Sequence, residues 1–411
     1  MKYRYNARVA RHRFTSRKRL VFAVVVALAI LAGVIAVTTK HQDTAHPRTR
    51  AATTMKPPHA PLPLPAPTPA APQPTGKSYG IAAGSSLAGL SDQALDGRLA
   101  AIQALGATWV RFDFDWSNIQ PGSASTYNWS NYDRLVAAAG SHHLKTLAIL
   151  DFTPAWARPA GCGSSHCAPK DAGAFATFAG EAAKRYKAQG VDAWEIWNEP
   201  NNPEFWQPKA DPAAYISLLA GAANAIHAQD RTATVITGGL SPQSTAGNSY
   251  APVDFLKAVY AAGGKPYFDA VGDHPYTFPL SPASSQDQAW AQMAAPSSSL
   301  RSTMVDNGDS AKKIWITEFG SPTGGPGPVA TVTNPDLDAH PFAVDQALQA
   351  KILSDAAELY KTYDWAGPFF YYSYQDAGTT NDTNENFFGL VAANGTHKPA
   401  YDVFKQAANG H

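Results

Sequence analysis

Short apolar runs alternate with helical stretches along most of this chain, and their order predicts the fold. After Lys77, eight runs read as strands, at residues 79–83, 108–114, 146–151, 193–197, 234–237, 270–273, 313–317 and 369–374. Between them the spacing predicts helices with recognisable ends. Ser91 is placed to cap a helix whose Leu95, Leu99, Ile102 and Leu105 share one face before Gly106 stops it. Asp171 caps a helix carrying Phe175, Phe178, Ala182 and Tyr186, which stops at Gly190. Asp211-Pro212 opens another, with the proline at the first helical position, where its missing N–H does no harm. Further helices are expected over 131–139, 254–262, 289–305, 345–361 and 401–408. Strands and helices alternating eight times predict an α/β fold, a (β/α)8 or TIM barrel with every strand parallel. A doubly wound open sheet is the alternative, but no glycine-rich phosphate-binding fingerprint follows the first strand.

The first part of the chain follows no such pattern. Residues 1–19 are strongly basic, and Leu20 to Val37 is an uncharged apolar run of 18 residues. That run is just long enough to span a bilayer as a helix, and its basic flank places the rest of the chain outside the cytoplasm. It is expected to be a membrane anchor, with a cleaved signal peptide as the alternative, since Val34-Ile35-Ala36 offers small-residue cleavage chemistry. Residues 38–77 are rich in Pro, Ala and Thr and are expected to form a semi-rigid spacer, leaving residues 78–411 as the folded domain.

Composition and charge then narrow the partners. The chain of 411 residues is 45% hydrophobic, 11% aromatic and 16% charged, enough to bury a large core. Its net charge of +1 hides an asymmetry, because the basic residues crowd the N-terminus. From Ser78 to His411 there are 20 Lys and Arg against 31 Asp and Glu, a balance of −11. An acidic domain repels nucleic acid and suits a neutral substrate such as a carbohydrate. The only two cysteines, Cys162 and Cys167, are close together, and an exported chain favours a small loop-closing disulfide over free thiols. No cofactor and no metal site are expected: Cys162, His166 and Cys167 are too few ligands, and no Ser-His-Asp order or phosphate loop stands out.

The candidate chemistry sits at the ends of predicted strands, where barrels of this kind build their active sites. Trp194-Glu195-Ile196-Trp197-Asn198-Glu199-Pro200 ends the fourth strand in an acid, and Ile314-Trp315-Ile316-Thr317-Glu318-Phe319-Gly320 does the same at the seventh. Two carboxyls about 5 Å apart can divide the work of cleaving a glycosidic bond, one as acid and then base, the other as nucleophile. Trp156, after the third strand, can stack on a sugar ring or pack in the core, and Trp116 and Trp206 are further candidates of the same kind.

These motifs resemble the large clan of barrel-fold retaining glycoside hydrolases with the acid/base on strand four and the nucleophile on strand seven. Asn198-Glu199-Pro200, with Phe205-Trp206 shortly after, most resembles family 39 and its relatives. The resemblance implies that Glu199 is the acid/base, that Glu318 is the nucleophile and that Asn198 binds the sugar hydroxyl next to the reacting carbon. It further implies that Arg111 supports the nucleophile as a cation, with an interior ion pair to Asp113 or Glu195 as its other reading. His274 and Tyr276 are implied to line the site and hydrogen-bond the nucleophile. The clan often closes its site with a tryptophan on strand eight, whereas this chain has Tyr371-Tyr372-Ser373-Tyr374, so Tyr374 is expected to floor the first sugar subsite.

The expected function is extracytoplasmic retaining hydrolysis of a β-linked oligo- or polysaccharide. A barrel that binds carbohydrate without cleaving it, and a transglycosidase that remodels the cell envelope, are the alternatives. The sugar, the cleavage mode and the oligomeric state stay open.

Overall fold

A computed structural model describes residues 76–410, apart from 192, 285–287 and 335–342. The basic segment, the apolar run and nearly all of the proline-rich spacer lie outside the described residues. Among those described, no helix is long and apolar enough to cross a membrane.

Eight strands, β1 (Tyr79–Gly84), β2 (Trp109–Asp115), β3 (Lys145–Asp151), β4 (Ala193–Ile196), β5 (Thr234–Thr237), β6 (Ala270–Asp273), β7 (Lys313–Phe319) and β8 (Ala366–Tyr372), close into one barrel. Each pairs in parallel with its sequence neighbours, and β1 closes the ring against β8. The helices that return the chain are α1 (Asp92–Ala104), α2 (Ser130–Ser141), α3 (Ala172–Tyr186), α4 (Pro212–Gln229), α5 (Pro252–Ala261), α6 (Leu300–Asp306), α7 (Gln346–Thr362) and α8 (Pro399–Asn409). The expected caps are in place: Ser91, Asp171 and Asp211 each accept backbone N–H bonds in the first turn of their helices.

The helix expected over 289–305 is instead two pieces, Ala289–Ala294 and α6. Pro296 pushes Ala295 into extended geometry, and Ser299 then restarts the helix with a capping box, its side chain exchanging bonds with Ser302. Strand β4 stops one residue short of expectation because Trp197 takes a left-handed φ of 73°. Strand β8 runs from Ala366 and ends at Tyr372, so Tyr374 lies beyond it.

One residue from each strand fills the barrel interior: Ala82, Trp109, Leu147, Ala193, Ile236, Ala270, Trp315 and Phe370. Large and small side chains share this layer, and the Trp109 and Trp315 rings meet edge-on at 5.3 Å. The opposite face of each strand joins the main core beneath the helices. This interior plug supports everything above it at the C-terminal mouth of the barrel.

Outside the barrel, α3 and α4 pack at small residues. A Cβ added to Gly180 would lie 3.3 Å from that of Ala225, and one added to Gly221 would lie 3.2 Å from that of Ala176. Gly180→Leu should therefore destabilise the domain by about 1–3 kcal/mol through overpacking. A urea midpoint equal to that of the wild type would show that the two helices are not held at this separation.

Candidate active site

The mouth is organised around Arg111, which is fully buried on β2. Arg111 shares the inward face of its strand with Trp109, and Glu195 shares that of β4 with Ala193, two residues below it in each case. Arg111 Nε donates to Glu195 Oε2 at 2.6 Å, Nη1 donates to Glu318 Oε1, and Nη2 donates to Asn198 Oδ1 at 3.1 Å. Arg111 thus makes the interior ion pair with Glu195 and reaches Glu318 as well. Burial alone would lower its pKa, but the Glu195 and Glu318 charges outweigh that and raise it above the ordinary arginine range. Glu195, also fully buried, takes further bonds from the Gly239 N–H and the Thr317 hydroxyl.

Two backbone irregularities aim the glutamates. Along β7, alternation puts Trp315 and Thr317 inside and would turn Glu318 outward. Between Ile316 and Phe319 the pairing with β8 gains one residue on β7, a bulge that turns Glu318 into the mouth beside Thr317. Beyond β4, Trp197 and Glu199 both take positive φ, 73° and 46°, conformations that cost free energy in non-glycine residues. Burial of the Trp197 indole, whose N–H donates to the Phe205 carbonyl at 2.7 Å, holds this turn.

His274 stands between the two acids. Its Nδ1 lies 3.1 Å from Glu199 Oε1 and 3.7 Å from Glu318 Oε2, and its Nε2 lies 3.4 Å from Arg111 Nη2. Its two ring nitrogens thus face the acids on one side and the guanidinium on the other. The ring fits because Gly239 has no side chain: a Cβ there would lie 2.1 Å from His274 Nε2. Tyr276 donates its hydroxyl to Glu318 Oε2 at 2.7 Å, and Asn202 donates from Nδ2 to Glu199 Oε2 at 2.8 Å.

One oxygen each of Glu199 and Glu318 and one nitrogen of His274 lie within 4.8 Å of one another. Such a trio could ligate a metal ion, but a cation would have to displace the donors already engaging these oxygens. For Glu318, burial pushes the carboxyl pKa up, while the His274 and Arg111 charges and the Tyr276 hydroxyl together bring it below the ordinary glutamate value. Its ionisation therefore adds stability above the ordinary glutamate pKa, lost as pH falls through the lowered one.

Other acids at the mouth lack such partners. Burial, together with Asp115, Glu318 and Glu195, raises Asp113 to about 7 despite Arg111. Asp151 is fully buried, neither of its oxygens has a hydrogen-bond partner, and it is raised well above the ordinary aspartate value by burial and by Asp113. Glu385, in the loop after β8, is raised to about 7 by burial and by Glu318, while its Oε2 accepts the Tyr372 hydroxyl at 3.2 Å.

The structure thus brings Arg111, Asn198, Glu199, His274, Tyr276 and Glu318 together and leaves other expected residues apart. Tyr374 packs on the Arg98 guanidinium of α1, 4.9 Å from its ring centroid, because alternation ends with β8. Tyr372 takes the inward position, against the interior layer. Trp156 is half-buried in loop packing, its indole N–H donating to the Gln120 carbonyl at 2.7 Å and its ring edge-on to Trp116 at 5.5 Å. Trp116 and Trp206 are fully buried and offer no face to a sugar. Cys162 and Cys167 form the expected disulfide. Sequence reasoning missed Asn202, Tyr372, Glu385, Asp113 and Asp151 as site residues. The family resemblance marked Arg111, and Glu195 entered only as its possible ion-pair partner, whereas nothing in the loop sequence marked Glu385.

Removing the Tyr276 hydroxyl takes away one of the groups that lower the Glu318 pKa. Tyr276→Phe should accordingly move the acid limb of the kcat/KM profile to higher pH; an unmoved or lower limb would show that this bond does not tune Glu318.

The model for glycosyl hydrolases family 39 matches residues 175–409, a span holding both glutamates, His274 and Tyr276. A β-xylosidase of Geobacillus stearothermophilus is 25% identical over 235 residues, 54% of this chain and 42% of that protein, so the chain matches less than half of this relative's length. Among solved structures, a family 39 glycoside hydrolase of Bacteroides cellulosilyticus superposes with a TM-score of 0.61 at 23% identity, covering 80% of this chain and 63% of the other. A monomeric β-xylosidase of Caulobacter crescentus gives 0.60 at 19% identity, over 83% and 70%. These two likenesses speak for the barrel fold, and the family model, matching more than half of the sequence, carries the assignment: the chain belongs to glycosyl hydrolases family 39.

Proposed function

We propose that this protein is a retaining glycoside hydrolase acting on β-linked oligo- or polysaccharide, with Glu199 as acid/base and Glu318 as nucleophile. The spacing of the two acids carries the reading. Ligand atoms within 4.8 Å suit the short separation of a retaining pair and leave too little room for the water that an inverting pair needs between them.

In the first step a Glu318 oxygen attacks the anomeric carbon as the bond to the leaving group breaks. The Glu199 proton passes to the departing oxygen, and a glycosyl ester forms on Glu318. In the second step Glu199 takes a proton from water, the water oxygen attacks the same carbon, and the Glu318 carboxylate is released. Arg111 and Tyr276 favour the ionised nucleophile. Asn198, with its Oδ1 held by Arg111, presents its amide N–H to the sugar hydroxyl beside the reacting carbon. Because relatives are named as β-xylosidases, β-xylosides are the first substrates to try.

Glu318→Ala should abolish turnover, and a 2-fluoro-β-glycoside should add its glycosyl mass to the wild-type peptide containing Glu318. Full activity in the variant, or a label on another residue, would overturn the mechanism. An inactive carbohydrate-binding barrel would take no label, and transfer rather than hydrolysis would appear as new oligosaccharides when acceptor sugars are added.

We further propose that the domain works outside the cytoplasm, held at the membrane by residues 20–37. The basic flank, the apolar run and the Cys162–Cys167 disulfide support this. Mass spectrometry of the mature protein should find the N-terminus before Leu20; one after Ala36 would mean a cleaved signal and a released enzyme.

A further inference from the structure

Glu199 is gripped from a direction that the reaction scheme leaves unexplained. Its Oε2 accepts the Asn202 amide at 2.8 Å. Asn202 is buried, and its Oδ1 accepts the Glu204 backbone N–H at 3.0 Å. Since that N–H can only donate, the orientation of the amide is fixed and its Nδ2 must point at Glu199. The Glu204 carbonyl in turn accepts from His166 Nδ1 at 2.9 Å.

His166 belongs to the loop closed by the Cys162–Cys167 disulfide. Its ring is stacked between Phe152 and Phe205, at centroid distances of 4.8 and 5.2 Å. The same loop is stitched to the chain just after β3 and to the long loop after β4. The Thr153 N–H donates to the Ser165 carbonyl, the Thr153 hydroxyl to the Cys167 carbonyl, and the Gln207 N–H to the His166 carbonyl. Side-chain and backbone bonds therefore run without a break from the disulfide-closed loop to one oxygen of Glu199.

We propose that Asn202 is a positioning residue for Glu199, and that the disulfide-closed loop after β3 holds it in place through His166 and Glu204. This inference rests on the reading of Glu199 as the acid/base. His274 engages Oε1 and Asn202 engages Oε2, so together they set the plane of the carboxyl group. The plane decides where the acid's proton points, and proton transfer to a leaving group depends on that direction. Without Asn202, Oε2 loses this donor, the plane of the carboxyl is less firmly set, and the proton is delivered less often along the productive line.

Leaving groups separate this role from a merely structural one, because 2,4-dinitrophenolate departs without a proton and phenolate does not. The measurement is kcat/KM for phenyl and 2,4-dinitrophenyl β-xylosides, or for glycosides of another sugar if the wild type prefers it. Glu199→Ala should lose about 10²–10⁴-fold on the phenyl substrate and far less on the dinitrophenyl one. Asn202→Ala should show the same pattern more weakly, about tenfold against less than about threefold. His166→Phe keeps the stacking and loses the bond to Glu204, so it should shift the two substrates in the same sense; it carries the test if Asn202→Ala does not fold. Equal losses on both substrates, or none, in these two variants would overturn the proposal while Glu199→Ala still discriminates. If Glu199→Ala itself fails to discriminate, the acid/base reading is wrong and the inference falls with it.

Discussion

The charge on Arg111 is the constraint on which the mouth of this barrel depends. A guanidinium cannot give up its proton at any ordinary pH, so a fully buried one must be met by anions or hydrogen-bond acceptors. Glu195 meets it on one side, Glu318 on another, and the Asn198 carbonyl on a third. The acids without such company show what this cation does. Asp113 and Glu385 are pushed up to about 7 and Asp151 well above its ordinary value, while Glu318, beside His274 and directly paired with Arg111, lies on the low side of its ordinary value. One kind of carboxyl thus takes two protonation habits within a single cleft, and the division follows from how many cations and donors each one meets.

The barrel makes that contact possible by holding Arg111 above a layer of packed side chains. Trp109, Trp315 and Phe370 close the interior beneath it, so the arginine has no room to retreat and no route to water from below. Gly239 leaves the space that His274 fills, and the helices outside need only keep the strands in register.

Most of this fold was legible in the chain because parallel strands and their return helices leave strong periodic marks. All eight strands fall within a few residues of their expected places. The misses have local causes: Pro296 and Ser299 split a helix that apolar content alone suggested, and Tyr374 was counted into a strand that ends at Tyr372. Within the site, the family resemblance marked Arg111, and Glu195 entered only as its possible ion-pair partner. The partners of the glutamates were harder, because Asn202 and Glu385 come from loops, whose course depends on tertiary contacts. Trp116 and Trp206 show the converse, since an aromatic near a strand end is as useful to the core as to a sugar.

The bulge in β7 carries a meaning beyond aiming one side chain. Glu318 turns into the mouth where one extra residue of β7 is tucked between Ile316 and Phe319, directly after an opposite shift in which β8 gains one residue between Ala366 and Phe369. The direction in which Glu318 points is thus encoded in backbone register as much as in residue identity. Deleting one residue between Ile316 and Phe319 would change which side chain faces the mouth while leaving every member of the barrel's interior layer in place.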